Sequence, residues 1–212
     1  MAVKAIIFDF DGTLADTYHA FVEIANSLSG EFGYKPVNSE DLEKLKHLSV
    51  KELIKQSEIS PLKIPFVLNR VTSELRHKIQ ELKPINGIPN FLKELKENGY
   101  LLGIITSNRQ ENVLSFLKSN NLGNLFEFIY SGTTLFGKHK VINQLLKEHK
   151  LIPSEIIYVG DETRDIRSAQ KSNVKVIAVA WGFNSPEILA QHQPDFLIYH
   201  PQELMRAIQD SE

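Results

Sequence analysis

The chain of 212 residues contains no cysteine. That excludes disulfides, a thiolate nucleophile and cysteine-held zinc or iron–sulfur centres, so any redox chemistry would need a borrowed cofactor. Neither sign of charge dominates: 24 lysines and arginines stand against 26 acidic residues, for a net charge of −2. Without a one-signed field the composition points away from nucleic acid and from an anionic membrane, leaving a small molecule or a protein as the expected partner. A long apolar run is also missing. The first one, Ala2 to Phe8, contains Lys4 and runs straight into Asp9, which is too short for a spanning helix or a signal core. A cytoplasmic protein is expected. What the chain does have is 42% hydrophobic residues against 24% charged, enough to bury a core and too much for disorder.

Texture divides the chain into a short strand, a helical block and a regular alternation of apolar runs with amphipathic segments. After Asp16, a candidate cap, apolar residues at Ala20, Phe21, Ile24, Ala25 and Leu28 keep a helical spacing that Gly30 and Gly33 should end. Ser39, Ser49 and Ser60-Pro61 read as starts of three further helices, the last reaching about Leu82 with Pro65 restarting or bending it. No strand pattern interrupts residues 18–83. Beyond Pro84, helices and strands alternate: helix Ile88 to Asn98, strand Leu101 to Ile105, helix Glu111 to Asn120, strand Phe126 to Tyr130, helix Lys140 to His149, strand Glu155 to Val159, helix Arg164 to Ser172 and strand Lys175 to Ala180. A last strand and helix fall near Phe196 and Leu204, with Asp210 to Glu212 as a frayed tail. Alternation at this pitch implies βαβ units, hence an α/β fold with a Rossmann-like, mostly parallel sheet covered by helices on both faces. In open sheets of this kind ligands bind at the carboxyl ends of the strands.

Polar clusters sit where that rule demands them. Asp9-Phe10-Asp11-Gly12-Thr13 follows the first apolar run and places two carboxylates at a buried strand end, where an unbalanced charge is expensive. Their two-residue offset aims both at one spot beyond the strand tip, and Gly12 permits the sharp turn there. One carboxylate can attack while the other passes protons beside a cation. Leu101 to Ile105 ends in Thr106-Ser107-Asn108-Arg109, a cluster of donors before a helix that suits an anion. Glu155 to Val159 ends in Gly160-Asp161-Glu162-Thr163-Arg164-Asp165, whose aspartates can complete a Mg²⁺ site. Lys138, placed in the loop after Tyr130, can balance the carboxylates and hold an anionic substrate.

These residues together resemble the haloacid dehalogenase superfamily in its phosphatase branch, most of all its phosphoglycolate-phosphatase-like members, over nearly the whole chain. The matching motifs are D-x-D-G-T at Asp9 to Thr13, the hydroxyl residue Thr106 after an apolar strand, a lysine at Lys138 or Lys140, and G-D-x-x-x-D at Gly160, Asp161 and Asp165. The resemblance implies a Rossmann-like core of residues 1–16 and 84–212 with a small all-helical cap, residues 17–83, inserted after the first strand. It further implies a Mg²⁺-dependent phosphatase acting on a small phosphorylated metabolite, with Asp9 as nucleophile and Asp11 as acid and base. Mg²⁺ would be held by Asp9, the Asp11 backbone carbonyl, Asp161 and Asp165, the last directly or through water. Gly12, Thr106, the Ser107 N–H and Lys138 would hold the phosphoryl oxygens. The usual proline after the third-motif lysine is missing, since the chain reads Gly137-Lys138-His139-Lys140.

Other readings of the same residues are a phosphomutase of the same fold, a metal-free dehalogenase, and a scaffold protein that kept the fold without its chemistry. Asp11 counts against the dehalogenase and the complete motif set against the scaffold. A calcium loop opening at Asp9 lacks its acidic positions at Thr13 and Ala20, and a nucleotide loop over Gly132 to His139 has His139 where a hydroxyl should bind the metal. Lys46 and His47, at a break between helices, can face the site; Trp181 is placed at the sheet edge. A monomer or a homodimer is expected.

Overall fold

Ala5-Ile6-Ile7-Phe8 offers an apolar side chain to both faces, which suits a strand only if helices cover both. In the computed structural model, which describes residues 2–38, 41–48, 50–57, 59–60, 62–132 and 137–211, these four form strand β1 (Ala5–Phe8) and all are buried. Helices α1 (Tyr18–Phe32), α2 (Leu42–Lys46), α3 (Val50–Gln56) and α4 (Ile64–Leu75) follow. The alternating half comprises α5 (Ile88–Glu97), β2 (Leu101–Ile105), α6 (Gln110–Ser119), β3 (Phe128–Tyr130), α7 (Lys138–Glu148), β4 (Ile156–Gly160), α8 (Thr163–Lys171), β5 (Lys175–Val179), α9 (Pro186–Gln191), β6 (Phe196–Ile198) and α10 (Leu204–Asp210).

The sheet order is β3-β2-β1-β4-β5-β6, with every neighbouring pair parallel. The chain winds outward from β1 to one edge and then from β4 to the other, so the crevice opens at the carboxyl ends of β1 and β4. The two-residue period of the strands sorts the core into two halves. Ile6, Phe8, Ile104, Val159 and Ile177 join an apolar cluster with α5, α6 and α10, while Ile7, Tyr158, Val176 and Ala178 join another with α7, α8 and α9. Among the described residues no helix is long and apolar enough to cross a membrane.

The inserted helices leave and return at one point. Asp16 N–H donates to the Lys83 carbonyl at 3.0 Å and Ile85 N–H to the Leu14 carbonyl at 3.0 Å, while Ala15 bridges Pro84 in antiparallel fashion. Buried residues of α1 and α4, including Ile24, Leu28, Val71 and Leu75, extend the first apolar cluster. That gives the insert a docking face on the core.

Several expected boundaries move. Gly30 lies inside α1, which continues to Gly33 in a left-handed conformation at φ +78°, because packing outweighs the roughly 1 kcal/mol preference of a helix interior for alanine over glycine. The helix expected to run to Leu82 stops at Leu75, and Pro65 stands in its first turn, where the missing N–H costs nothing. The expected caps Ser39 and Ser49 and the opening Pro61 lie outside the described residues. Helix α9 escaped notice because Ser185-Pro186 offers only a start signal before six residues. The tail is not frayed as far as Ser211: its hydroxyl donates to the Ile208 carbonyl at 2.5 Å and its own carbonyl accepts from Lys175. Trp181 follows β5, packs partly buried against the first apolar cluster and donates its Nε1 to the Thr13 carbonyl at 3.2 Å. Lys138 opens α7 and is not a loop residue.

One contact in the sheet tests this packing. A Cβ added to Gly103 would stand 1.9 Å from Cε2 of Phe128 on the neighbouring strand. Gly103→Ala is therefore expected to lower unfolding stability in urea by about 1–3 kcal/mol through overpacking, and Phe128→Leu in the same chain should recover part of the loss.

Candidate active site

A lysine in the first turn of a helix works against the helix dipole, so its placement calls for another reason. Lys138 has one. Its Nζ lies 2.5 Å from Asp9 Oδ2 and 2.6 Å from Asp165 Oδ1, and all three side chains are essentially inaccessible to solvent. Asp9 follows β1 and is fixed by its N–H, which donates to the Val159 carbonyl at 2.8 Å. Its Oδ1 accepts the Phe10 N–H at 2.7 Å. Oδ2 faces the ammonium without a directed hydrogen bond, a buried oxygen left with charge attraction alone.

Asp161 and Asp165 come from the turn between β4 and α8. Asp165 sits in the first turn of α8, its Oδ2 accepting the Glu162 N–H at 3.1 Å in a capping arrangement. Asp161 accepts the Thr13 hydroxyl at 2.5 Å on Oδ1 and the Phe183 N–H at 2.7 Å on Oδ2. This close approach dictates glycine at two motif positions. Gly12 has φ +74° and a Cβ there would stand 2.4 Å from Asp161 Oδ2, while one on Gly160 would stand 2.7 Å from Asp165 Cβ. Carboxylate oxygens of Asp9, Asp161 and Asp165 lie within 4.8 Å of one another.

Asp11 has a different partner. Both its oxygens accept from Asn108 Nδ2 at 3.0 Å. Asn108 belongs to the loop after β2, whose Thr106 N–H donates to the Tyr130 carbonyl at 2.9 Å and whose Thr106 hydroxyl accepts the Asn108 N–H at 3.0 Å. Arg164 reaches the Ser107 hydroxyl at 3.4 Å and pairs with Glu162 at 2.7 Å.

Burial governs the protonation of these groups. It pushes Asp9 up to about 6 against the pull of Lys138, and Asp11 up to about 7, where the charge of Asp9 adds to it and the Asn108 hydrogen bond opposes it. Asp161 rises well above the carboxylate range through burial and then the charge of Glu162. Burial pulls Lys138 down, but Asp165 and Asp9 together hold it above its usual value, so it stays charged. One ammonium serves a centre built from Asp9, Asp11, Asp161 and Asp165, and Arg164 is already engaged by Glu162. Clustered buried carboxylate oxygens with an under-satisfied Oδ2 suit a hard divalent cation.

The structure thus brings Asp9, Lys138, Asp161 and Asp165 together, sets Gly12 against Asp161, and places Thr106 and Ser107 on the loop that carries Asn108. It separates the two lysines of the third motif: Lys138 is buried in the site and Lys140 is exposed. Lys46 and His47 meet the loop after β5, the Lys46 carbonyl accepting the Ser185 N–H at 2.8 Å and His47 Nδ1 lying 2.9 Å from Ser185 Oγ, and the Lys46 ammonium lies over the Tyr18 ring, 4.8 Å from its centroid. Residues 133–136 of the nucleotide-loop reading lie outside the described residues, and Lys138 is committed to the aspartates. Asn108 as the partner of Asp11, and Arg164 as a partly buried cation, were not singled out from sequence. Both lie inside motifs whose other residues were.

A doubly wound parallel sheet with an acidic, lysine-balanced centre at its carboxyl edge has the layout of an α/β enzyme. Residues 6–179 match the model of the haloacid dehalogenase-like hydrolases, and the chain belongs to that family. It is similar to a phosphoglycolate phosphatase of Synechococcus elongatus, with 34% identity over 97% of each chain. It also resembles an N-acetylmuramic acid 6-phosphate phosphatase of Pseudomonas aeruginosa, with 24% identity over 97% of this chain and 94% of the relative. A solved haloacid dehalogenase-like hydrolase from Streptococcus pneumoniae superposes with a TM-score of 0.79 and 25% identity, covering 96% of this chain and 97% of that one. Within the family the chain is a phosphoglycolate-phosphatase-like member and a phosphatase.

The raised carboxylates make stability depend on pH. In the unfolded chain Asp9 and Asp11 ionise near 3.8, whereas folded they keep their protons to about 6 and about 7. Between those limits the folded chain binds more protons, so its stability is greatest at the acid end and falls as pH rises toward 7. The metal-free protein should melt several degrees lower at pH 7.5 than at pH 5, Asp11→Asn should flatten that difference, and a melting temperature that rises over the interval would contradict the assignment.

Proposed function

We propose that the chain is a Mg²⁺-dependent phosphatase that hydrolyses a small phosphate monoester through an aspartyl-phosphate on Asp9. The observation that carries this reading is the buried Lys138 ammonium, 2.5 Å from Asp9 and 2.6 Å from Asp165, with Asp161 in the same cluster and Asp11 held apart on Asn108. That division separates an attacking carboxylate from a proton-carrying one. Asp9, Asp161 and Asp165, with the Asp11 backbone carbonyl, would hold Mg²⁺, which when bound offsets the charge of the phosphoryl oxygens.

In the first half-reaction an Asp9 oxygen forms a bond to phosphorus as the ester P–O bond breaks, and protonated Asp11 gives its proton to the departing oxygen. Ionised Asp11 then takes a proton from the water that attacks the acyl phosphate. Inorganic phosphate leaves, and Asp9 and Asp11 return to their starting states. Gly12, Thr106, the Ser107 N–H and Lys138 hold the phosphoryl oxygens, the fixed positive surround that phosphoryl transfer needs. Residues 17–83 act as the cap over a core of residues 1–16 and 84–212, which supports assigning substrate choice to the insert. The cysteine-free composition suits a cytoplasmic setting.

The relative at 34% identity makes phosphoglycolate the first substrate to assay, and the one at 24% makes a sugar phosphate the second. Phosphate release from such a panel should require Mg²⁺, cease with chelator and fall to background in Asp9→Asn. Asp11→Asn should slow release from alkyl esters by about 10²–10⁴-fold, the usual contribution of a positioned proton donor. Undiminished release from Asp9→Asn would remove the nucleophile assignment.

A further inference from the structure

We propose that Asn112 is a positioning residue for the acid–base carboxylate: anchored on the inserted helices, it fixes the amide of Asn108 and through it the setting of Asp11. The inference rests on the reading of Asp11 as the group that protonates the leaving oxygen.

An asparagine amide has a donor end and an acceptor end, and only the donor end is compatible with a carboxylate. Asn108 presents Nδ2 to both oxygens of Asp11 at 3.0 Å. Its Oδ1 accepts two hydrogen bonds, from the Arg109 N–H at 2.8 Å and from Asn112 Nδ2 at 2.9 Å. Asn112 has no freedom to reverse either. The second hydrogen bond of its Nδ2 goes to the backbone carbonyl of Thr72 at 2.8 Å, and a carbonyl can only accept. Thr72 lies in the last turn of α4, where carbonyls lack partners within the helix. Polarity therefore passes in one sense from Thr72 through Asn112 and Asn108 to Asp11.

Burial gives this chain of amides its force. Asn108 is 0% exposed and Asn112 is 1% exposed, so water cannot stand in for a lost partner, and a reversed amide would set acceptor against acceptor. Asn112 occupies the first turn of α6, where asparagine helps the helix less than alanine would. Its identity is explained by the two acceptors it joins. One turn earlier on each helix a second contact runs alongside, Arg109 Nη2 donating to Asn69 Oδ1 at 2.6 Å, so α4 meets α6 through matched positions three residues apart. The α4 contact thus adds a second anchor to the Arg109 N–H in holding Asn108, and with it the donor of Asp11.

The leaving group supplies the test. A 4-nitrophenolate departs without a proton, whereas the alkoxide of 2-phosphoglycolate needs one, and kcat/KM covers only the steps up to that departure. With the Mg²⁺-loaded enzyme, Asn112→Leu and the isosteric Asn112→Asp should lower kcat/KM for 2-phosphoglycolate by about 10-fold to 100-fold, up to the lower end of what a proton donor contributes. For 4-nitrophenyl phosphate the loss should be about 3-fold or less. Equal losses on both substrates in both variants would make Asn112 structural only and overturn the inference. Asp11→Asn separates the two levels. If it spares 4-nitrophenyl phosphate while the Asn112 variants show no such selectivity, the inference fails alone; if it slows both esters alike, the reading of Asp11 fails with it.

Discussion

The site depends on one buried ammonium held between two carboxylates. Asp9 follows β1 and Asp165 stands in the first turn of α8, just beyond β4; β1 and β4 are neighbours at the centre of the sheet, and Lys138 reaches both aspartates from α7. Removing any one member would leave an uncompensated charge out of reach of water, which costs several kcal/mol. That constraint explains why a lysine stands in the first turn of a helix, why Gly160 yields space to Asp165, and why Asp9 Oδ2 is left facing charge and not a hydrogen bond. A core of continuous apolar strands fixes the three backbones closely enough for the arrangement to hold.

The second constraint is the separation of Asp9 from Asp11. They are two residues apart in a turn that Gly12 allows to bend, and their surroundings differ. Asp9 meets Lys138, whereas Asp11 meets the neutral amide of Asn108. Burial raises both, Asp9 against the pull of Lys138 and Asp11 against the Asn108 hydrogen bond. Two like groups in such different surroundings can divide acid and nucleophile work near neutral pH. The Asn112 contact to Thr72 extends that dependence to the inserted helices, so the amide that meets Asp11 is tied to the packing that seats the insert.

Much of this was legible in the chain because polar clusters interrupt apolar runs. Leu101 to Ile105 could be read to the residue, since Gly99 and Thr106 bound it on both sides. The carboxylates of the first and fourth motifs stood out for the same reason: charge directly after a buried strand needs an explanation. Lys138 was legible by type but not by place, because a lysine in a first turn contradicts the usual helix-start signal. Asn112 was not legible at all. In an amphipathic helix a single asparagine reads as a surface residue, and only the approach of α4, from 40 positions earlier, reveals what it joins. The insert is the least legible part, since its short helices rely on contacts with the core more than on their own periodicity.

The central claim is that Asp9 becomes covalently attached to phosphorus. Acid quenching of a single turnover with phosphorus-labelled substrate and Mg²⁺ measures this directly. The account predicts label on the peptide carrying Asp9, released by hydroxylamine as an acyl phosphate should be, and no label in Asp9→Asn. Full phosphate release with no labelled peptide at any quench time, together with turnover by Asp9→Asn, would contradict it.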